Sequence, residues 1–406
     1  MTADGDVTAD GGVTADGGVA GCFACGAGPL LPFADLGEIP VLCGVHYASQ
    51  EEAAGSPVGR MQLAYCTECA YVRNVAFDPA VMYYDTTMDT NLHHSPAFQT
   101  FSAQLVASLT GRYPLAGATV LDIGCGQGEF LRELCHTAGC RGFGYDAMYA
   151  GPAGADHSGA HFTTGYAPVE DPQALPAYDF VTSRHWFEHI DDPYAFLVAL
   201  RERAGGRPVH GYFEVPDACY DLATAGWEVI YPHVSYFDSV SLARIFERAG
   251  WRVEAEGTFF AGMFRYIEVS CGVDAGAGVS DRAAAREAQL TAIAGFAQRQ
   301  AAERERWQSA VVRMAAEGRR PVLWGAGSRG VQFLNLADPH HQLAAVVDVN
   351  PRKWGRFLPV TGHRVDDPAI LTTLQSTAVI ITNPAYREEI AKSLAGLGVA
   401  AEVLVA

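Results

Sequence analysis

Long apolar stretches and an excess of positive charge are both missing from this chain of 406 residues. No run approaches the roughly 18 consecutive apolar residues that a membrane-spanning helix needs, so we expect no membrane span. The N-terminus lacks a basic segment followed by an apolar one, which argues against a secretory signal and for a cytoplasmic protein. Lys and Arg number 28 against 46 Asp and Glu, a net charge of −18. This acidity argues against nucleic-acid and anionic-membrane partners but permits a small-molecule substrate.

Length and composition favour a globular protein of two to three domains. Apolar residues make up 49% of the chain, which is enough for full hydrophobic cores. Ten cysteines in a chain with no secretory signal indicate metal binding before disulfides. Residues 1–21 repeat a Thr-Ala-Asp-Gly-containing motif, too small, acidic and glycine-rich to bury a core, and we expect a disordered tail. A calcium-binding repeat is the alternative for this segment.

Two C-x-x-C motifs follow the tail, at Cys22 and Cys25 and at Cys66 and Cys69. Two such knuckles predict a tetrahedral zinc site, because each turns tightly enough for both thiolates to face one ion. With four thiolates the site is closed, and the Zn²⁺ is therefore structural rather than catalytic. Disulfides or free thiols are the alternatives, and the pair Cys43 and His46 between the knuckles could compete as ligands. We predict a zinc-binding module over residues 22–75.

The stretch Thr119–Phe130 predicts a strand, a glycine-rich turn and a helix. The turn carries three glycines after an acid, and an apolar residue opens the helix: Asp122, Gly124, Gly126, Gly128 and Phe130. Glycines let the backbone come close to a ligand. Asp146 follows a second short apolar run, 24 residues after Asp122. That spacing suits an acid that grips ribose hydroxyls at the tip of the next strand. The pattern resembles motif I of class I S-adenosylmethionine methyltransferases, and an ordinary βα turn in another Rossmann-like domain is the alternative.

Downstream blocks extend this α/β domain, which we place at residues 76–275. Glu214 lies near the C-terminal tip of a predicted strand, where ligands bind in open α/β sheets. His185 and His189 lie four apart and could share a helix face; sequence places no third metal ligand near them. His233 lies in an aromatic segment and could equally be a core histidine. A helical connector is predicted over residues 276–318, and a second Rossmann-like domain over 319–406.

The second Rossmann-like unit has its own glycine turn, Gly325–Gly330, with the pattern G-x-G-x-x-G and Asp348 after the next strand. Taken alone, this pattern indicates dinucleotide binding. Arg329 inside the turn is unusual for such a site.

Taken together, the chain from Cys22 onward resembles the sugar C-methyltransferases, which act on nucleotide-linked 4-keto deoxysugars. The twin cysteine knuckles, the block Phe213-Glu-Val-Pro-Asp217 and the C-terminal Gly-Ala-Gly-Ser-Arg-Gly and Thr382-Asn-Pro-Ala-Tyr-Arg387 blocks carry the resemblance. It implies that the C-terminal domain closes one side of the substrate cleft and does not carry NAD. It also implies His233 as the base, His189 as the second histidine and Tyr84, or Tyr83, over the pocket.

Two residues differ from the family pattern at positions that the resemblance assigns to the reaction. Pro232 stands where the family has Glu before the base, and His185 stands where it commonly has Asn. The resemblance implies methyl transfer from S-adenosylmethionine to C3 next to a C4 ketone, in deoxysugar and antibiotic biosynthesis, by a monomer or homodimer. An O- or N-methyltransferase is the alternative, and an NAD-dependent oxidoreductase is a further one. The predicted fold class is α/β, a class I methyltransferase domain between a zinc module and a Rossmann-like domain.

Overall fold

A computed structural model describes residues 21–27, 29–86, 88, 93–272 and 282–406. The predicted tail, apart from Gly21, lies outside these ranges. None of the described helices combines the length and apolarity needed to cross a membrane.

The N-terminal module is a small antiparallel sheet beside the cysteine knuckles. Its elements are β1 Leu30–Pro40, α1 Gln50–Ala54, β2 Val58–Cys66 and β3 Val72–Asn74. Ser49 caps α1 by accepting a hydrogen bond from the Glu52 backbone. Strands β1, β2 and β3 lie side by side, so the second knuckle sits at the turn between β2 and β3.

The central domain is an open α/β sheet covered by helices on both faces. Its elements are α2 Pro96–Arg112, β4 Thr119–Ile123, α3 Glu129–Ala138, β5 Arg141–Asp146, β6 Gly154–Ala155, β7 Ala160–Thr164, β8 Phe180–Arg184, α4 Pro193–Ala204, β9 Val209–Pro216, α5 Ala218–Ala223, β10 Ser235–Tyr236, α6 Ser239–Arg248, β11 Arg252–Phe259 and β12 Phe264–Cys271. Eight strands run in the order β11-β12-β9-β8-β4-β5-β7-β6, and β10 instead joins the N-terminal sheet beside β3. Strand β4 is buried at all five positions, as expected for a central parallel strand.

Chain direction in this sheet creates a ligand crevice. Strands β5, β4, β8 and β9 are parallel, and the chain leaves β4 toward β5 on one side and later returns to β8 on the other. The crevice outside the carboxyl ends of strands at such a switch point is where open α/β sheets bind ligands. Strand β12 is antiparallel to β9 and closes the far edge with β11.

The C-terminal part is one long helix followed by a smaller parallel sheet. Its elements are α7 Ala283–Ala316, β13 Val322–Trp324, α8 Ser328–Ala337, β14 Ala345–Val347, β15 Val365–Asp366, α9 Leu371–Leu374, β16 Ala378–Ile381, α10 Arg387–Gly396 and β17 Glu402–Val405. Five parallel strands run in the order β15-β14-β13-β16-β17, a second Rossmann-like unit with its switch point at β13.

Helix α7 ties the parts of the chain together. It is one continuous helix of 34 residues rather than a broken pair, about 51 Å long at 1.5 Å per residue. Ile293 and Phe296 pack in the core that the N-terminal sheet shares with α5. Further along, Trp307 and Val311 pack in the core of the C-terminal unit. The two apolar stretches therefore face different cores.

Candidate active site

The glycine turn after β4 adopts the conformation its sequence predicts. Gly124, Gly126 and Gly128 all have positive φ, at 77°, 57° and 84°. A Cβ on Gly124 would lie 2.4 Å from the Cβ of Trp186, so no other residue fits there. Helix α3 then begins at the end of this turn, with Phe130 buried in its first turn. The N–H groups of Gly124 and Cys125 donate to the Tyr145 carbonyl, which holds the turn against β5.

Two acids flank this turn. Asp146, at the end of β5, accepts hydrogen bonds from the backbone N–H of Gly126 at 2.8 Å and of Met148 at 2.7 Å. Burial raises the pKa of Asp146 above its usual range. Asp122 accepts from the Thr182 hydroxyl at 2.7 Å, and burial raises its pKa to about 6. Asp146 thus holds the glycine turn in place while its remaining lone pairs stay available to hydroxyl groups.

A single cavity of about 410 Å³ runs between the central domain and the C-terminal unit. We call it the interdomain cavity. Its volume lies in the range typical of small-molecule sites, roughly 300–1,000 Å³. The Gly124–Gly128 turn, which we call the cofactor turn after its predicted role, lies on one side and the Gly325–Gly330 turn on the other, so both switch points open onto the same space. The predicted site residues that line it are Tyr84, Asp122, Gly124, Gly126, Phe130, Asp146, His185, His189 and His233.

Two histidines meet in the wall of this cavity. The rings of His189 and His233 lie edge to face, with centroids 4.9 Å apart. Nδ1 of His189 lies 2.8 Å from the Pro232 carbonyl and 2.8 Å from the Tyr84 hydroxyl. Nδ1 of His233 lies 3.1 Å from the Glu228 carbonyl. A carbonyl oxygen only accepts, so both Nδ1 atoms carry the proton and both Nε2 atoms are left as lone-pair acceptors.

Both histidines are neutral in the folded protein. Burial lowers the pKa of His233 to about 3, and the positive charge of Arg329 acts in the same direction. Burial, with the neighbouring His233, likewise lowers the pKa of His189 to about 3. A neutral imidazole with a free Nε2 is the form that can accept a proton.

Glu214 and His185 lie next to each other, with Nε2 of His185 3.6 Å from Oε2 of Glu214, and His185 lines the cavity. Glu214 is fully buried and accepts hydrogen bonds from Arg184 at 2.8 Å and from the Tyr212 hydroxyl at 2.6 Å. Its side chain is not part of the cavity wall. These contacts favour a supporting position for Glu214 rather than contact with a ligand. His185 has φ of 52°, and the helical turn begins only at Phe187, so the idea that His185 and His189 share a helix face is wrong.

The segment that carries His233 is held by the N-terminal module. Strand β10 starts two residues after His233 and pairs antiparallel with β3. The backbone N–H of Asn74 donates to the Val234 carbonyl at 3.0 Å, and the N–H of Val234 donates to the Glu188 carbonyl at 2.9 Å. The position of His233 therefore depends on the sheet that carries the second cysteine knuckle.

The four knuckle cysteines form one cluster. Sγ of Cys22 lies 3.6 Å from that of Cys69, and Sγ of Cys25 lies 3.6 Å from that of Cys66. All four sulfur atoms lie within 4.8 Å of one another. A tetrahedral site with Zn–S bonds of about 2.3 Å needs sulfurs about 3.8 Å apart, so the cluster fits the predicted ion. Cys43 instead donates to the Pro40 carbonyl, and His46 contacts the Ala326 carbonyl.

The C-terminal glycine turn is already engaged with protein groups. Asp348 accepts from the N–H groups of Ala326 at 2.7 Å and Asn350 at 2.8 Å and from Lys353 Nζ at 3.0 Å. Arg329 reaches across the cavity to the Glu228 carboxylate. An acid that binds a dinucleotide ribose must accept hydrogen bonds from the ribose hydroxyls. Here the carboxylate of Asp348 already accepts from the buried ammonium of Lys353. This arrangement disfavours NAD.

Sequence reasoning missed three charged residues that organise the cavity: Arg184, Glu188 and Glu228. Glu188 lies between His185 and His189 in the sequence, and its position between two candidate histidines was a signal that could have singled it out. Arg184 and Glu228 carried no sequence signal, because their partners, Glu214 and Arg329, are distant in the chain.

Comparison with known proteins agrees with this geometry. Residues 93–256 match a methyltransferase domain family, and residues 277–402 match the family described as C-methyltransferase C-terminal domain. Ubiquinone biosynthesis O-methyltransferase of Ruegeria sp. (strain TM1040) is 30% identical over 128 residues, 29% of this chain. The chain spans about half the length of that curated relative, 50% of it.

Solved structures show a more distant similarity. An S-adenosylmethionine-dependent methyltransferase of Mesorhizobium loti is 17% identical and matches 41% of this chain and 97% of its own, with a TM-score of 0.34. Magnesium protoporphyrin IX methyltransferase of Synechocystis PCC 6803, solved with bound SAH, is 19% identical and matches 43% of this chain and 83% of its own, with a TM-score of 0.34.

The family matches agree with the strand order and the glycine turn of the central domain. The predicted fold class is confirmed: the central domain has the class I methyltransferase fold. The chain therefore contains a region that matches methyltransferase domains, residues 93–256, followed by a region that matches the C-terminal domain of C-methyltransferases, residues 277–402.

Proposed function

We propose that this protein transfers the methyl group of S-adenosylmethionine to a carbon next to a ketone, with His233 as the base. The observation that carries the proposal is the neutral His233 with a free Nε2 in the wall of the cavity that the cofactor turn also lines. The match of residues 277–402 to a C-methyltransferase domain supports carbon as the attacking atom.

S-adenosylmethionine supplies an electrophilic methyl group on a sulfonium. The protein must therefore make the acceptor carbon nucleophilic. Nε2 of His233 takes the proton from the carbon next to the ketone, and the C–H electron pair becomes an enolate. Bound S-adenosylmethionine would supply the methyl group to that carbon, and its sulfur would keep the electron pair of the methyl–sulfur bond. Tyr84, which contacts His189 and lines the cavity, would donate to the ketone oxygen, and Asp146 and the Gly124–Gly128 turn would hold the cofactor.

We propose that the acceptor is a nucleotide-linked keto deoxysugar. The resemblance of the C-terminal blocks to sugar C-methyltransferases supports this class, and so does a cavity shared by two nucleotide-type folds. Labelled S-adenosylmethionine incubated with a panel of nucleotide-linked keto sugars and their reduced alcohols is the direct test. We expect label in the keto sugars alone. Label in the alcohols would contradict carbon methylation and establish O-methylation instead.

Asp146→Ala should weaken S-adenosylhomocysteine binding at least about tenfold, since hydrogen bonds to a charged group are worth about 1.5–3 kcal/mol each. Isothermal titration calorimetry measures this. Asp348→Asn is the matched control, the corresponding acid of the C-terminal unit, and should bind S-adenosylhomocysteine as the wild type does. Unchanged binding by Asp146→Ala would show that the cofactor lies elsewhere. Binding of NAD by the wild type would favour the oxidoreductase alternative.

The pH dependence of methyl transfer should also be unusual for a histidine base. Because burial lowers the pKa of His233 to about 3, its neutral form persists as the pH falls. We expect the rate to stay level from pH 8 to pH 5, whereas a base with an ordinary pKa of about 6.5 would lose roughly 30-fold by pH 5. A rate measured in that range that falls with a midpoint near 6.5 would contradict the neutral, buried base.

We further propose that Cys22, Cys25, Cys66 and Cys69 hold one structural Zn²⁺. The support is the mutual distance of the four sulfurs and the thiolate donor set, which suits zinc. In this role the ion joins the two knuckles and has no open position for substrate.

A further inference from the structure

Glu188 lies between the two histidines of the candidate active site. Its Oε1 is 3.9 Å from Nε2 of His189 and 3.9 Å from Nε2 of His233. Its side chain is 3% exposed, and its Oε2 has no hydrogen-bond partner among the residues that the structure describes. A buried carboxyl that faces two imidazole nitrogens and lines the cavity is not explained by packing alone.

The hydrogen bonds of the two histidines determine where the protons of this cluster lie. Both Nδ1–H groups donate to backbone carbonyls, so both Nε2 atoms present lone pairs to Glu188. An ionised carboxylate would face two further acceptors in a dry environment, which is unfavourable. Burial raises the pKa of Glu188 well above its ordinary value. The resting cluster therefore holds one transferable proton, on Glu188, between two neutral histidines.

The resemblance to sugar C-methyltransferases places an acid directly before the base, and this chain has Pro232 there. Pro232 offers only its carbonyl, which accepts from His189. An imidazolium formed at the buried His233 would thus have no adjacent acid from its own segment. Glu188 comes from the other side, from the short helical turn Phe187–His189 after β8.

We propose that Glu188 is the positioning residue of the base, and that it supplies the negative charge which the missing acid at Pro232 cannot. This rests on the proposed function. The C–H bond of the acceptor breaks, and its proton bonds to Nε2 of His233. The positive charge formed on His233 favours ionisation of Glu188. The O–H bond of Glu188 therefore breaks, and that proton leaves the cluster by way of Nε2 of His189. The imidazolium of His233 then faces a carboxylate, and the charges on this pair cancel.

His189 is the histidine from which the proton can leave the cluster. Its side chain is 18% exposed, against 5% for His233, so it is the more accessible histidine. Its low pKa, caused by burial and by His233, means that it releases an added proton readily. The Tyr84 hydroxyl lies 2.8 Å from Nδ1 of His189, and both residues line the cavity.

The test compares Glu188→Gln with Glu188→Asp. Gln keeps the shape but can neither lose a proton nor carry charge, so kcat should fall by at least about tenfold, with KM and S-adenosylhomocysteine affinity within about twofold. Asp keeps an ionisable carboxyl on a shorter stem and should recover part of kcat. The expected order of kcat is wild type, then Asp, then Gln. Binding of S-adenosylhomocysteine reports whether each variant is folded.

A different order overturns the inference. If Gln matches the wild type and Asp is the worse of the two, Glu188 only fills space. If the purified wild type holds a second metal ion that Glu188→Gln loses, and a chelator stops turnover, the Nε2 atoms of His189 and His233 bind a metal ion instead. If His233→Ala is inactive but Glu188→Gln is as active as the wild type, the role of Glu188 is contradicted and the proposed function stands. Full activity in His233→Ala removes the proposed function itself.

Discussion

His233→Ala should lose roughly 10²–10⁴-fold in methyl-transfer turnover and bind S-adenosylhomocysteine as tightly as the wild type. The imidazole lies in the cavity wall, and Asp146 and the glycine turn are held by separate backbone contacts. Removal of the side chain would take away the proposed proton acceptor and leave the Gly124–Gly128 turn in place. Single-turnover methyl transfer with the accepted keto sugar measures the loss.

His136→Ala is the control for that variant, because His136 is exposed on α3, away from the cavity. It should behave as the wild type. A hydroxyl or amine acceptor needs less help from a base than a carbon acid does. If His233→Ala therefore kept most of its turnover, the O- or N-methyltransferase alternative would replace the carbon mechanism.

Cys66→Ser should remove the zinc and with it much of the soluble protein. Structural zinc contributes about 10–16 kcal/mol to the folding of zinc-finger peptides. Here the ion would join the two knuckles at one end of a sheet whose other residues pack against α5 and α7. Cys66 ends β2, and β3 follows directly and pairs with β10. In any soluble fraction we expect turnover to fall more than S-adenosylhomocysteine affinity, because β10 positions His233 and takes no part in the cofactor turn.

Cys219→Ser is the matched control, since Cys219 lies outside the four-cysteine cluster. Metal analysis should find one zinc per chain in the wild type and in Cys219→Ser, and none in Cys66→Ser. A wild-type protein purified without stoichiometric zinc, or a Cys66→Ser variant that keeps full turnover, would contradict the structural role.

Local patterns made the cofactor turn predictable from the sequence. Strand β4, the three glycines with positive φ and the acid after β5 are fixed by short-range steric rules, which act within about 30 residues. The parallel sheet of the C-terminal unit was predictable for the same reason. The two C-x-x-C spacings likewise predicted that the four thiols would meet.

Long-range contacts made the remainder of the site unpredictable. No local pattern shows that residues just after His233 form β10 and join a sheet of the N-terminal module. Arg329 looked misplaced in a dinucleotide turn because its partner, Glu228, lies 101 residues earlier. The spacing of His185 and His189 suggested one helix face, yet the positive φ of His185 separates them. Glu188 became significant only once His233 lay beside it.

Solvent deuterium exchange at the acceptor carbon next to the ketone tests the central claim most directly. The measurement follows the exchange by NMR with enzyme and keto sugar in deuterated buffer, without methyl donor. We predict exchange with the wild type and loss of exchange with His233→Ala, since removal of the proton from that carbon is the step that needs the base. A keto sugar that the wild type methylates without any exchange at that carbon, and at the same rate with His233→Ala, would contradict carbon methylation by a histidine base.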